Sequence, residues 1–180
     1  MLYKIGGKRG RDRPQTKDPV IQALLKFLFK LVTILLLLVL VFKFVFGIYR
    51  VNDTAMVPNV NPGDLIFYYR LDKKYFVGDT VVYNFKGQTK LARIVALPGD
   101  KVDVDEHGLK VNGSRQYEPK IFKETQAFKD GVSFPLQLGT DEVFVLADNR
   151  DKAADSRLFG ALKRSQISGK IFNLIRSRGI

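Results

Sequence analysis

The sequence contains no cysteine and only one histidine, His107. Without cysteine, the chain can form neither a disulfide framework nor a thiolate metal site. With one histidine it has no histidine-rich metal cluster, and a Ser-His-Asp triad would depend on that single side chain. The composition therefore predicts no metal and no cofactor. His107 lies in a Glu-His-Gly segment, which predicts a turn.

Acidic residues are scarce relative to basic ones, and the imbalance is greatest near the amino terminus. The net charge is +12, and residues 1–30 carry half of it, because they hold eight basic residues against Asp12 and Asp18. The basic residues are Lys4, Lys8, Arg9, Arg11, Arg13, Lys17, Lys26 and Lys30. No recognised nucleic-acid-binding motif accompanies this charge. Since the excess stands directly before a long apolar run, we expect a membrane as the partner and no nucleic acid.

The apolar run extends from Phe27 to Gly47 and is interrupted only by Lys30 and Lys43. As a helix it would span about 31 Å, close to the hydrocarbon thickness of a bilayer. Both lysines lie toward the ends of the run, where long side chains can reach the headgroups. The run therefore predicts a transmembrane helix.

The position of the basic residues predicts the topology. By the positive-inside rule, residues 1–25 form a cytoplasmic tail, residues 26–48 the anchor, and residues 49–180 an extracellular domain. A cleavable signal peptide with Leu31–Phe42 as its apolar region is the alternative. Lys43 and the surrounding phenylalanines disfavour cleavage, so we predict a retained single-pass anchor.

Strand signals dominate the sequence after the anchor. Short β-branched or aromatic runs, several of them next to Pro-Gly-Asp or Val-Gly-Asp turns, predict strands over residues 65–70, 80–85, 91–97 and 142–147. Asn112-Gly113 predicts a type I′ hairpin turn. Residues 114–140 are less patterned and predict a loop or an extended excursion. No helical period appears outside the anchor, so the predicted fold class is mainly β: an antiparallel β-domain behind one N-terminal transmembrane helix.

Four motifs follow the anchor in a fixed order. Residues 55–58 read Ala-Met-Val-Pro, ahead of a Pro-Gly-Asp turn, and residues 77–83 read Val-Gly-Asp-Thr-Val-Val-Tyr. Residues 92–100 read Ala-Arg-Ile-Val-Ala-Leu-Pro-Gly-Asp, and residues 147–160 contain Asp-Asn-Arg-Asp, Asp-Ser-Arg and Phe-Gly. Together they resemble the motifs of the type I signal peptidases, Gram-positive type. The resemblance implies a compact β-domain at the outer face of a bacterial cytoplasmic membrane.

The resemblance also implies a serine endopeptidase with a Ser–Lys dyad, yet alanine stands where that chemistry belongs. Ala55 occupies the nucleophile position, Ala92 the general-base position, and Ala153 the position of the serine that orients the lysine. A methyl group can neither attack a carbonyl, accept a proton nor donate a hydrogen bond. The sequence therefore predicts that no catalytic residue is intact.

Neighbouring polar residues are poor substitutes for the missing dyad. Lys90 shares a strand face with Ala92, but the two side chains start about 6–7 Å apart. Thr54 points away from Ala55 if the chain is extended there, and Asp53 is better placed to cap a turn.

The segment around the nucleophile position predicts the wall of a peptide groove. Its candidate lining residues are Asp53, Thr54, Met56 and Pro58. The same resemblance assigns a bracing role, through ion pairs and hydrogen bonds, to Arg93, Asp148, Asn149, Arg150, Asp155, Ser156 and Arg157. A charged, solvated loop over residues 148–157 is the alternative for that segment.

The resemblance is strongest to inactive relatives that occur beside Gram-positive pilus genes. It implies a non-catalytic chaperone or scaffold in pilus assembly, with pilin subunits, a sortase or secreted precursor peptides as partners. A signal peptidase I, removing signal peptides but carrying introduced alanines, is the alternative. A regulator that competes with an active signal peptidase for precursors fits the same residues.

Overall fold

A long apolar helix precedes the folded domain. The computed structural model describes residues 18–119, 121, 123–151 and 153–177, and it divides into two units, Met1–Leu40 and Val41–Ile180. Helix α1 covers Pro19–Phe44 and has no buried side chain. Its 26 residues are long and apolar enough to cross a membrane, since they span about 39 Å against a hydrocarbon core of about 30 Å.

The regular elements in the described part of the second unit are almost all β-strands. They are β1 Phe46–Arg50, β2 Leu65–Tyr69, β3 Thr80–Phe85, β4 Gln88–Ala96, β5 Lys101–Asp105, β6 Gly108–Val111, β7 Ser114–Arg115, β8 Leu136–Gln137, β9 Glu142–Leu146, β10 Leu162–Lys163 and β11 Ile167–Ile175. A single helical turn, α2 Ser156–Phe159, and a 3₁₀ turn, Arg164–Gln166, precede β10 and β11 respectively. The mainly β fold class predicted from the sequence is confirmed.

The strands form two antiparallel sheets. The larger has the order β1-β2-β11-β3-β4-β9-β10, and the smaller has the order β7-β6-β5-β8. Side chains alternate between the two faces of the larger sheet. Val82 and Leu91 pack on one face with Met56, whereas Val81 and Ala92 pack in a separate core on the other face. The larger sheet therefore separates two apolar cores.

The strand predictions agree closely with the structure where sequence patterns are strong. The strand predicted over residues 80–85 coincides with β3, and the predictions for β2 and β9 run one residue too long. Asn112 and Gly113 have φ values of 53° and 79° and join β6 to β7, which confirms the hairpin turn. His107 lies in the turn between β5 and β6, as predicted.

Strand β11 is not predicted from the sequence, although it lies inside the larger sheet between β2 and β3. It pairs with β2 on one side and with β3 on the other. Its Ile-Ser-Gly-Lys segment mixes small and polar residues, so it lacks the β-branched run that marks the other strands. Gly169 is there for a steric reason: a Cβ at this position would lie 2.3 Å from the carbonyl oxygen of Tyr69.

A Gly169→Ala substitution should destabilise the domain by about 2–3 kcal/mol, because the clashing atom belongs to the backbone of β2 and cannot rotate away. The measurement is thermal unfolding of the detergent-solubilised protein, where a fall of several degrees in Tm is expected. Gly139→Ala is the matched control, since its Cβ would meet only the flexible side chain of Glu142. Equal midpoints for the two variants would contradict the steric role of Gly169.

Candidate functional site

A small cavity lies where the loop after β1 meets β3, β4 and the segment after β9. Its volume is about 110 Å³, and it is lined by Asp53, Thr54, Ala55, Tyr83, Lys90, Leu91, Ala147, Ala153 and Ala154. Two of the three alanines singled out in the sequence, Ala55 and Ala153, therefore share one cavity. The third, Ala92, is fully buried in the core behind it, in the same apolar cluster as Tyr83.

The groove candidates occupy different environments. Asp53 and Thr54 line the cavity. Met56 has no exposed surface and belongs to the apolar core beneath the loop. Pro58 is exposed and lies outside the cavity lining. The structure thus brings Asp53 and Thr54 to the cavity and keeps Met56 and Pro58 away from it.

The backbone around Ala55 is fixed by hydrogen bonds from both sides. The Ala55 N–H donates to Asp53 Oδ1 at 3.0 Å, a local contact typical of an Asx turn. The Ala55 carbonyl accepts the Asn149 N–H at 2.9 Å. The Asn149 side-chain amide donates to the Thr54 carbonyl at 3.0 Å. These hydrogen bonds hold the loop that carries Ala55 against the segment after β9.

A buried carboxylate connects the segment after β9 to β4. Asp148 is fully buried and accepts two hydrogen bonds from Arg93, from Nε at 2.9 Å and from a terminal nitrogen at 2.6 Å. The Asn59 side-chain amide donates to the same carboxylate at 2.8 Å. The hydrogen bond to Asp148 raises the pKa of Arg93, so the guanidinium keeps its charge. Two-point pairing of this kind fixes the orientation of both side chains.

Arg150 and Arg157 are buried and lie next to each other. The Arg150 side chain is fully buried and donates to both oxygens of Glu118, at 2.8 and 2.5 Å, and to the Thr125 hydroxyl. Its Nε donates to the Ala147 carbonyl at 2.8 Å. The Arg157 guanidinium donates to the Arg150 carbonyl at 2.7 Å, which links the two side chains through the backbone.

The partner of Arg157 also fixes the backbone near the cavity. Arg157 donates twice to the buried carboxylate of Asp155, both times at 2.9 Å. That carboxylate in turn accepts the Ala147 N–H at 3.1 Å. The hydroxyl of Ser156 accepts the Val145 N–H at 3.1 Å. These contacts join the end of β9 to α2.

Several acceptors of Arg150 and Arg157 are not predicted from the sequence. Glu118, Thr125 and Gln126, whose carbonyl accepts from Arg157 at 2.9 Å, all lie in the stretch 114–140 that was predicted only as a loop or excursion. No local pattern distinguishes Glu118 from the exposed acidic residues. The signal that was available is indirect: a buried arginine requires an acidic partner from elsewhere in the chain.

The cavity itself offers few reactive groups. Burial, and secondarily the charges of Asp155 and Asp53, raise the pKa of Tyr83, so this phenol stays protonated near neutral pH. The remaining polar side chains in the lining are those of Asp53, Thr54 and Lys90. Since Asp53 is already bonded to the Ala55 N–H, the lining presents a small, largely methyl-lined space with a polar rim.

An Arg157→Met variant should lose about 3–5 kcal/mol of unfolding free energy, because it leaves the buried Asp155 carboxylate without its cation. The measurement is urea-induced unfolding monitored by circular dichroism. Lys123→Met is the matched control, since Lys123 pairs with Asp151 at an exposed position and should contribute about 0–1 kcal/mol. Equal losses in the two variants would show that the buried pair does not hold the segment.

Comparisons with known proteins converge on one family. The family described as "Signal peptidase, peptidase S26" matches residues 24–175. A signal peptidase I of Bacillus caldolyticus is 33% identical over 144 residues, which cover 71% of this chain and 78% of that protein. Signal peptidase I S of Bacillus subtilis is 29% identical over 160 residues, covering 82% and 86% respectively.

A solved structure resembles part of the chain. The crystal structure of a signal peptidase I from Enterococcus faecalis matches with a TM-score of 0.46 and 24% identity, over 55% of this chain and 97% of that one. The family assignment rests on the sequence matches. The family match extends from the apolar helix to the last strand. This chain, with its N-terminal apolar helix and antiparallel β-domain, belongs to the signal peptidase family.

Proposed function

We propose that this chain is a non-catalytic member of the signal peptidase family that binds extended peptides and serves as a chaperone or scaffold in Gram-positive pilus assembly. The observation that carries the proposal is the contrast at the cavity. Ala55 and Ala153 line it, whereas Asp148, Asn149 and Arg150 beside it are held by hydrogen bonds. A scaffold preserved around methyl groups favours binding over bond cleavage.

Alanine at positions 55 and 92 supplies neither group of a Ser–Lys dyad. A serine nucleophile needs a base that removes its proton, and a lysine serves only when burial lowers its pKa enough to leave it neutral. Ala92 is fully buried among apolar side chains, an environment suited to such a lysine, but it has no ionisable group. Ala55 has no hydroxyl. Loss of the nucleophile alone removes most of a serine protease's rate.

Thr54 and Lys90 also line the cavity and are the candidates for replacing the dyad. The Thr54 carbonyl is tied to Asn149, and the neighbouring Ala55 N–H is tied to Asp53, so this part of the loop is held in place. Lys90 lies two residues before Ala92, so its side chain starts about 6–7 Å from the general-base position. A new dyad would therefore need two coincident rearrangements.

Peptide binding has a natural place in this fold. Strand β9 pairs with β4 only from Arg93 onward, so the first part of β4 is unpaired on that side. An extended peptide that adds to this edge would gain main-chain hydrogen bonds, and the adjacent cavity would accept a small side chain. Pilin subunits, a sortase or secreted precursors are the proposed partners, met at the outer face of the bacterial cell membrane with the N-terminus in the cytoplasm.

The detergent-solubilised chain should not cleave a signal-peptide substrate, whereas an Ala55→Ser/Ala92→Lys double variant should gain measurable activity. The reason is that the double variant restores a nucleophile and a buried base beside an intact scaffold. The measurement is mass-spectrometric detection of the cleaved product. Each single variant is a control, because neither alone supplies both groups. Cleavage by the unaltered chain would contradict the non-catalytic proposal and direct mutagenesis to Thr54, Asp53 and Lys90.

The unaltered chain should also retain a pilin or sortase from the same organism in a pull-down, and it should bind a synthetic peptide spanning a precursor's cleavage region. If strand addition is the mode, N-methylation of alternate peptide residues should reduce affinity about tenfold, by removing main-chain donors. N-methylation of the intervening residues is the matched control. If no pilus component is retained, the assembly role is wrong. If both methylation series bind equally, strand addition is wrong.

A further inference from the structure

The unpaired edge of β4 is formed by main-chain groups that can be identified from the hydrogen bonds of its neighbours. Ile94 donates its N–H to Asp79 and accepts the Gly78 N–H, so its main-chain groups point toward β3. Along an antiparallel strand, the main-chain N–H and C=O groups of successive residues point alternately to one side of the strand and to the other. The pairing of β3 with β4 is uninterrupted from Phe85 to Thr80, so this alternation holds along that part of β4. The N–H and C=O groups of Thr89 and Leu91 therefore point the other way, toward the side where β9 is absent.

A side chain from β1 already contacts this edge. The hydroxyl of Tyr49 lies 3.1 Å from the Thr89 carbonyl oxygen, forty residues further along the chain. The same hydroxyl lies 3.0 Å from Asn52 Oδ1, only three residues away. A phenol has one hydrogen to donate, so these two oxygens share or exchange a single donor.

We propose that the Tyr49 hydroxyl is a latch on the peptide-binding edge: it covers the Thr89 carbonyl in the free protein and turns to Asn52 when an extended peptide pairs with β4. This inference rests on the proposed peptide-binding function and adds to it the residue that controls access. The Tyr49 oxygen stays where it is, and the peptide's N–H bonds to the Thr89 carbonyl in place of the hydroxyl hydrogen. Asn52 Oδ1 accepts that hydrogen, so the change of partner leaves no unsatisfied donor.

The packing of Tyr49 indicates that only the hydroxyl hydrogen moves between the two acceptors, while the ring stays in place. The ring packs against the apolar core that contains Leu91 and Val51, so its position is fixed. Both acceptors are already within hydrogen-bond distance, and rotation about the C–O bond is enough to change partner. Burial, and secondarily the charge of Asp53, raise the pKa of Tyr49, which keeps the hydroxyl protonated and able to donate.

The latch predicts that substitutions at Tyr49 and at Asn52 change the affinity for a peptide in opposite directions. The experiment is isothermal titration of a precursor-derived peptide into the detergent-solubilised chain and its variants. Tyr49→Phe removes the competitor for the Thr89 carbonyl and should tighten binding about three- to tenfold, as expected for a single neutral hydrogen bond. Asn52→Ala removes the alternative acceptor and should weaken binding by a similar factor. The double variant should match Tyr49→Phe alone, because Asn52 acts only through the hydroxyl.

Controls separate the latch from the proposed function. Tyr117→Phe removes a hydroxyl from a highly exposed tyrosine and should leave affinity unchanged. The ¹³C chemical shift of the Thr89 carbonyl gives a readout without peptide, and it should change in Tyr49→Phe but not in Tyr117→Phe. If the unaltered chain binds peptide and Tyr49→Phe binds equally or more weakly, the latch alone is overturned. If no variant binds any peptide, the proposed function fails and the latch with it.

Discussion

Two buried arginines hold together the region on which the candidate site depends. Together they donate to the carboxylates of Glu118 and Asp155 and to the carbonyls of Ala147 and Gln126, and Arg157 also donates to the Arg150 carbonyl. A charge without exposed surface is tolerated only when nearly all its donors are bonded. The geometry of the site is therefore coupled to Glu118, Thr125 and Gln126, which are not among the described residues that line the small cavity.

The sequence predicted the elements that local chemistry specifies. Strand β3 and the Asn112-Gly113 turn follow from β-branched runs and from a turn that needs two positive φ values. The sequence did not predict β11, whose central position is specified by partners distant in the chain and by a close approach at Gly169. Local propensity carries no information about either of these constraints.

In the candidate site, too, some residues could be identified from the sequence and others only from contacts in the folded chain. Ala55 and Ala153 were identified by resemblance, and the structure places both at one cavity. Asp148 and Arg93 were likewise identified, and they form a two-point ion pair. Glu118 and Thr125 were not identified, because their roles arise from burial of Arg150, which is a property of the folded chain. Family motifs thus locate a site, whereas its supporting contacts require three-dimensional information.

Membership in an enzyme family fixes the fold more firmly than the activity. The family match covers residues 24–175, which include both the cavity and its supporting network. The chemistry at such a site depends on a few side chains, and these can change while the supporting contacts persist. For this reason binding and cleavage need separate measurements in this chain.

The complete burial of Ala92 has a consequence for the energetics of the fold. A methyl group in the core beside Ile94 and Val81 contributes apolar packing and carries no charge to desolvate. An amine at the same place would have to lose its proton or its hydration, and either change opposes folding. Enzymes that keep such a group trade stability for activity. Alanine at position 92 brings no amine into the core, so this position contributes apolar packing without a cost of desolvating charge.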